Sequence, residues 1–276
     1  MPVDIDAAVI ANRRLSADYN VLAFDAPDIA SRARPGQFVM IKTSGGQDPL
    51  LRRPFSIFEI LRDANGRPSG VSIFNKRLGV GTGLLAQVEP GTRLPVLGPL
   101  GRPFEPIDPP AEAWMVAGGV GLAPFITLAS ALAARGTATT LFYGARCSEE
   151  LHCVELFEAL GVRVVLATED GSRGVHGRVT VPLHGALDSR PLGNPVKLFV
   201  CGPTPMMRAC AQLARSHGRA CDVSLEQVMG CGLGGCYSCV VLARGPDGGP
   251  PHHTRTCVDG PVFDASRVVW EAVGGH

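Results

Sequence analysis

Four cysteines near the carboxyl end constrain this chain more than any other feature: Cys231-Gly-Leu-Gly-Gly-Cys236-Tyr-Ser-Cys239, then Cys257 eighteen positions later. C-x4-C-x2-C…C is the spacing of plant-type [2Fe–2S] centres. Four thiolates hold two irons. Gly232, Gly234 and Gly235 let the backbone curl and aim N–H groups at sulfur, which stabilises a negatively charged cluster. The competing chemistry is a structural zinc site, which also takes four cysteines. All-cysteine zinc sites come more often as two CxxC pairs than in this three-plus-one arrangement, so the spacing favours iron. A disulfide framework fits less well: nine cysteines is an odd number, and the first ten residues do not resemble a secretion signal. A cytoplasmic setting is expected. Cys147, Cys153, Cys201, Cys210 and Cys221 lie in apolar or helical contexts and read as small core residues.

With 276 residues there is room for two domains and a small appendage. A net charge of +1 gives no electrostatic reason to expect a nucleic-acid or membrane partner. Residues 114–134 hold no charged side chain, which is long enough to span a bilayer. Gly118-Gly119-Val120-Gly121 interrupts that run and Pro124 follows, so a strand, a glycine loop and a helix are expected instead.

Short alternating or β-branched runs at 9–15, 19–24, 37–42, 55–61, 71–75 and 92–97 predict a six-stranded antiparallel barrel over residues 1–101, with a helix at 79–85. Strands at 114–117, 140–143, 162–167, 197–201 and 222–225 alternate with helices at 124–134, 149–160, 179–186 and 205–217. That pattern predicts a doubly wound parallel-sheet α/β domain over 102–222. The segment Gly98-Pro99-Leu100-Gly101-Arg102-Pro103 reads as the hinge between the two. Residues 223–276 read as a small module whose shape is set by its metal rather than by a large core.

Several loops carry binding chemistry. Arg53-Pro54-Phe55-Ser56 opens a barrel strand, where an arginine can meet a phosphate and Ser56 a flat polar ring. Gly79-Val80-Gly81-Thr82-Gly83 opens a short helix whose free N–H groups suit a pyrophosphate. Gly118-Gly119-Val120-Gly121-Leu122-Ala123-Pro124 and Cys201-Gly202-Pro203-Thr204-Pro205 follow two parallel strands and would meet above the sheet as a cleft of backbone donors. Tyr143-Gly144-Ala145-Arg146 ends the strand next door and offers a cation.

In that order these motifs resemble the ferredoxin–NADP reductase superfamily. The continuation Ser224-Leu225-Glu226-Gln227, the cysteine loop, and Cys257-Val258-Asp259-Gly260-Pro261-Val262-Phe263 narrow the likeness to the electron-transfer subunits of B-type dihydroorotate dehydrogenases, over essentially the whole chain. The resemblance implies a FAD-binding barrel, a domain that binds NAD, and a [2Fe–2S] module held by Cys231, Cys236, Cys239 and Cys257. It implies FAD contacts at Arg53, Pro54, Phe55, Ser56, Ile73, Phe74 and Asn75, where Asn75 replaces a more basic residue, with Gly81 and Thr82 at the pyrophosphate. It also implies nicotinamide-coenzyme contacts at Gly119, Gly121, Cys201, Gly202 and Pro203. Its partner would be an FMN-containing dihydroorotate-oxidising subunit in a two-plus-two assembly, serving pyrimidine biosynthesis, with no acid–base catalyst in this polypeptide. Two alternatives stand beside it. One is the small subunit of an NAD(P)H-dependent ferredoxin reductase, sulfide dehydrogenase or cytosolic hydrogenase; the other is a zinc-stapled binding module.

Overall fold

The computed structural model describes residues 1–44, 46, 48–191, 193–245 and 247–274. Strands β1 (Val3–Arg14), β2 (Tyr19–Asp25), β3 (Phe38–Ile41), β4 (Arg53–Arg62), β5 (Pro68–Lys76) and β6 (Arg93–Leu100) close an antiparallel barrel in the order β1-β2-β5-β4-β3-β6. Helix α1 (Pro27–Ala30) follows β2, and α2 (Val80–Gln87) packs on the barrel, with Leu85 in its core and Asn12 Nδ2 donating to Val88 O at 2.9 Å. The interior is aliphatic: Leu22, Val39, Ile41, Ile57, Ile73 and Val96 pack together without solvent contact. β1 starts six residues before its expected start because Val3 to Ala8 pair with β6, Val3 opposite Gly98. Its solvent-facing acidic residues masked that half in the sequence pattern.

The second sheet runs β10-β9-β8-β7-β11-β12-β15, from β7 (Glu112–Gly118), β8 (Thr139–Ala145), β9 (Arg163–Thr168), β10 (Val175–His176), β11 (Val196–Cys201), β12 (Ala220–Ser224) and β15 (Val262–Asp264). All pairs are parallel except β12 with β15. Helices α3 (Phe125–Ala133) and α4 (Val154–Ala159) cover one face, α5 (Thr180–Asp188) and α6 (Thr204–Ser216) the other. Central β7 divides its side chains between them. Ala113, Met115 and Ala117 meet the first layer, and Trp114 and Val116 the second. That double burial explains the charge-free run, and a strand buried on both faces needs no alternation.

Three expectations are corrected. The helix predicted over 149–160 is broken: a 3-10 turn occupies Ser148–Glu150, and α4 starts only at Val154. Between them Leu151 and Cys153 turn inward, Cys153 at φ 59°, while the Tyr143 hydroxyl donates to the Glu150 carbonyl at 3.2 Å. The 98–103 segment is pinned rather than hinged. Gln37 Nε2 donates to Gly101 O at 2.8 Å, Arg102 N to Gly260 O at 2.5 Å, and Phe104 is buried between Phe125 and Phe199.

The cysteine module, with hairpin β13 (Val240–Ala243) and β14 (His252–Arg255) and helix α7 (Thr256–Asp259), also has real packing. Val241, Phe263, Ala265 and Val268 join the core under α6, and Met229, Cys239 and Cys257 join Phe38, Met40, Leu97 and Leu100 of the barrel. The residues that bury it are scattered singly among polar ones, so they left no periodic signal.

Candidate functional site

The carboxyl ends of β7, β8 and β11 are level, with Ala117 opposite both Tyr143 and Cys201. The strand order reverses at β7, where open α/β sheets place ligands. Here the two glycine loops interlock. A Cβ on Gly121 would run into the Cys201 carbonyl oxygen and stand 2.7 Å from Gly202 Cα; one on Gly118 would stand 2.9 Å from Pro203 Cδ. Gly121 therefore serves close approach of backbones, whereas Gly118 leaves room for the Pro203 ring and for Met206 Sδ, which would stand 2.6 Å from its Cβ. Gly119 instead sits at φ 54° with nothing within 4 Å of its Cβ direction, on the open side of the loop.

Two cavities open beside this junction. A cleft of about 600 Å³ lies over the sheet, with Gly119, Gly202 and Pro203 on its floor and Arg146, Glu169 and Arg178 around its rim. A narrower slot of about 290 Å³ runs between barrel and sheet, lined by Pro54, Phe55, Ser56, Phe74 and Thr82 on one side and by Cys201, Gln227 and Met229 on the other. Lys76, Leu78, Val120 and Glu226 line both, so one wall separates them. Lys76 reaches across the domains: its Nζ is 3.6 Å from Glu150 and 5.0 Å above the Tyr19 ring. Hydrogen bonding to Arg146, helped by Lys76, holds the Glu150 carboxyl below its ordinary range. Burial pushes the Cys201 thiol well up, so it stays protonated.

Not every expected residue reaches a cavity. Ile73 lies in the barrel core, and Asn75 donates inward to Asn20 Oδ1 at 2.8 Å and Thr82 O at 3.0 Å; neither side chain lines the slot. Arg53 folds onto its own loop, Nη1 donating to Leu51 O at 2.9 Å. The Thr82 hydroxyl accepts from Leu78 N and Gly79 N at 2.8 and 3.0 Å, holding the turn into α2. At that turn Thr43 Oγ1 is buried without a hydrogen-bond partner, 3.2 Å from the Cβ direction of Gly81. Gln227 Nε2 is likewise buried and unpartnered on the slot wall. An orphaned amide on the slot wall and an orphaned hydroxyl at the turn into α2 fit a polar ligand that reaches from the slot to that turn. Sequence reasoning missed Lys76, Thr43 and Met229, and read Gln227 only as part of a family motif. Lys76 and Thr43 each lie one residue past an expected strand end, which was the signal available.

The four cysteines form a shallow pair and a deep pair. Cys236 is exposed, and hydrogen bonds from Ser238, then Cys231, bring its thiol down to about 6. Leu233 N donates to Cys231 Sγ at 3.3 Å. Cys239 and Cys257 are buried, and burial, then the neighbouring Cys239 sulfur, push the Cys257 thiol up to about 12. Thiolates on that deep pair need a cation's charge beside them, as cysteine metal sites supply. Thr256 Oγ1 lies buried and unpartnered next to Cys257, and Gly232 and Gly234 adopt φ of 72° and 83° where the loop curls. The donor set fits a four-thiolate centre. Of the five other cysteines, Cys153, Cys201, Cys210 and Cys221 are buried as expected; Cys147 is partly exposed.

An antiparallel barrel sharing a slot with the glycine-loop edge of a parallel sheet defines an oxidoreductase of ferredoxin-reductase-like fold. A ferredoxin–NADP+ reductase from Neisseria gonorrhoeae with bound FAD and NADP shares that fold at 18% identity, TM-score 0.65, over 78% of this chain and 92% of that one. The NADH-dependent reduced ferredoxin–NADP oxidoreductase is nearer, at 30% identity and TM-score 0.82 over 97% and 91%.

The cysteine module matches the family model for the iron–sulfur cluster binding domain of dihydroorotate dehydrogenase B over residues 226–269, and the oxidoreductase NAD-binding domain matches residues 115–212. The dihydroorotate dehydrogenase B (NAD+) electron-transfer subunit of Desulforamulus reducens is 38% identical over 96% of this chain and 98% of its own. The chain belongs to that family, the electron-transfer subunits of NAD+-linked dihydroorotate dehydrogenase B. Membership as a subunit implies a catalytic partner. Among the described residues no helix is long and apolar enough to cross a membrane.

Proposed function

We propose that this chain carries electrons from a dihydroorotate-oxidising, FMN-containing partner subunit to NAD+, in a two-plus-two cytoplasmic assembly. The units are residues 1–101 for FAD, 102–222 for NAD, and 223–276 for a [2Fe–2S] cluster on Cys231, Cys236, Cys239 and Cys257. The observation that carries this reading is adjacency. Phe38 and Met229 line the slot and also pack against Cys239 and Cys257, so one layer of side chains separates the deep thiols from the slot. A flavin bound there supplies the conversion between a hydride's two electrons and the single electrons of an iron–sulfur centre.

The chain's own residues do the rest. Phe74, Pro54 and Val120 exclude water from the slot, and Ser56 offers a hydroxyl to a ring edge. Gly81, Thr43 and the N-terminus of α2 form the phosphate cradle. The two glycine loops hold the coenzyme end to end with the slot. Leu233, Tyr237 and Val258, all exposed around the cysteine loop, supply the apolar face for the partner.

Co-expression with an FMN-type dihydroorotate-oxidising subunit is expected to yield a complex that reduces NAD+ with dihydroorotate, with two irons and two sulfides per chain. A complex that forms instead with a ferredoxin reductase large subunit would replace this reading by the ferredoxin-linked one, which the 0.82 TM-score relative favours. A colourless, zinc-loaded protein after anaerobic reconstitution would reject both.

Two substitutions test the binding roles. Thr43→Val removes an unpartnered buried hydroxyl, so the flavin-free protein should keep or gain stability while FAD binding weakens about tenfold, measured by fluorescence titration. Unchanged FAD affinity would remove Thr43 from the cradle. Glu169 on the cleft rim disfavours the extra phosphate of NADP, so Glu169→Arg should shift the NADH-over-NADPH preference about tenfold or more toward NADPH in steady-state kinetics. An unaltered ratio would place the ribose elsewhere.

A further inference from the structure

At the edge of the sheet opposite the coenzyme cleft, about 20 Å along α6 from Pro203, α5 and α6 end side by side and three ligand-type side chains converge. His184 and Asp188 stand four residues apart on one face of α5, and His217 follows the last residue of α6. One donor atom from each lies within 4.8 Å of the others. Asp188 turns one carboxylate oxygen to each ring, Oδ1 3.0 Å from His217 Nε2 and Oδ2 3.6 Å from His184 Nε2. Zinc bonds of 2.0–2.2 Å in tetrahedral array put donors about 3.3 Å apart; each imidazole stands near that spacing from a different Asp188 oxygen, so the carboxylate holds the ion through both oxygens or turns one of them toward it.

Three further observations favour an ion over a plain ion-pair triad. His217 Nδ1 lies 2.9 Å from the Leu213 carbonyl, so Nδ1–H donates there and Nε2 is the nitrogen turned to the cluster. Metal-ligating imidazoles are oriented by such a bond. Both helices present their negative ends, which attract a cation. An open groove of about 850 Å³ between α5 and α6 reaches His184, leaving room for a water as fourth ligand. Arg215 on the groove wall and Arg219 near His217 repel cations, which disfavours hard ions held by charge alone. Two imidazoles and a carboxylate select a borderline transition ion.

We propose that His184, Asp188 and His217 form a surface site for such an ion, zinc foremost, tying the carboxyl ends of α5 and α6. On ligation the ion replaces the proton between His217 Nε2 and Asp188 Oδ1, which leaves to solvent. The test is equilibrium dialysis of the cluster-loaded protein against Zn²⁺, with zinc and iron counted together. Zinc above that matching any lost iron should reach one per chain. His217→Gln and Asp188→Asn should each weaken it about tenfold or more, and the double variant His184→Gln/His217→Gln should abolish it. Zinc should raise the melting temperature of the parent but not of the double variant. Equal zinc retention by the double variant, or no zinc in the parent beyond that replacing iron, overturns the site.

Discussion

Cys239→Ser is expected to abolish the visible iron–sulfur absorption and dihydroorotate-dependent NAD+ reduction together, while FAD stays bound and NADH still reduces an artificial acceptor. Cys239 is 2% exposed and packs with Cys257 against Phe38, Met40, Leu97, Leu100 and Met229. A serine oxygen there is a harder, shorter ligand that cannot restore a soft thiolate bond to iron. The module should nevertheless stay in place, because β15 pairs with β12 and Val241, Phe263 and Val268 sit in the core beneath α6. Loss of the cluster therefore separates from loss of the flavin. Iron, sulfide and flavin are counted on the same sample, with near-ultraviolet circular dichroism as the check on folding. A variant that loses flavin while keeping its iron would show that cluster and slot are not independent units.

That separation depends on packing which the sequence only partly displays. The barrel strands and the five central parallel strands were legible because their side chains follow a period of two or form continuous apolar runs. The glycine loops and the cysteine spacing were legible because only glycine permits the backbone approach at Gly121, and because four cysteines in that order are the spacing of plant-type [2Fe–2S] centres. What could not be read was anything decided by long-range contact. The first half of β1 depends on pairing with β6, the break before α4 depends on Tyr143 and on burial of Leu151, and the module's core depends on isolated residues such as Phe263. Asn75 shows the same limit within the site. The family resemblance placed it beside the flavin, and its side chain turns to Asn20 and Thr82 within the barrel.

Lys76 illustrates how a junction arises from such contacts. It belongs to the barrel, pairs with Glu150 of the α/β domain, and borders both cavities, while Glu150 also holds Arg146 on the cleft rim. A phosphate drawing Arg146 away would leave Glu150 to Lys76 alone. The barrel and sheet are thereby tied at the wall that slot and cleft share, an alignment that the proposed hydride transfer between them would need.

Gly121→Ala should show how much of that alignment rests on backbone contact between the two loops. The added methyl meets the Cys201 carbonyl oxygen and stands 2.7 Å from Gly202 Cα, and backbone cannot rotate aside as a side chain can. The loops must part, at a cost of about 1–3 kcal/mol, and the floor of the cleft widens as they do. The KM for NADH should rise about tenfold or more, and the melting temperature should fall by several degrees. Gly136→Ala is the control: its φ of 69° makes a methyl unfavourable by only about 1–2 kcal/mol, with nothing within 4 Å to displace and no place on the lining of slot or cleft. It should therefore lower stability with a smaller effect on KM. If both variants raised KM equally, loss of stability rather than loop contact would account for the effect, and the interlocked floor would have no part in coenzyme binding.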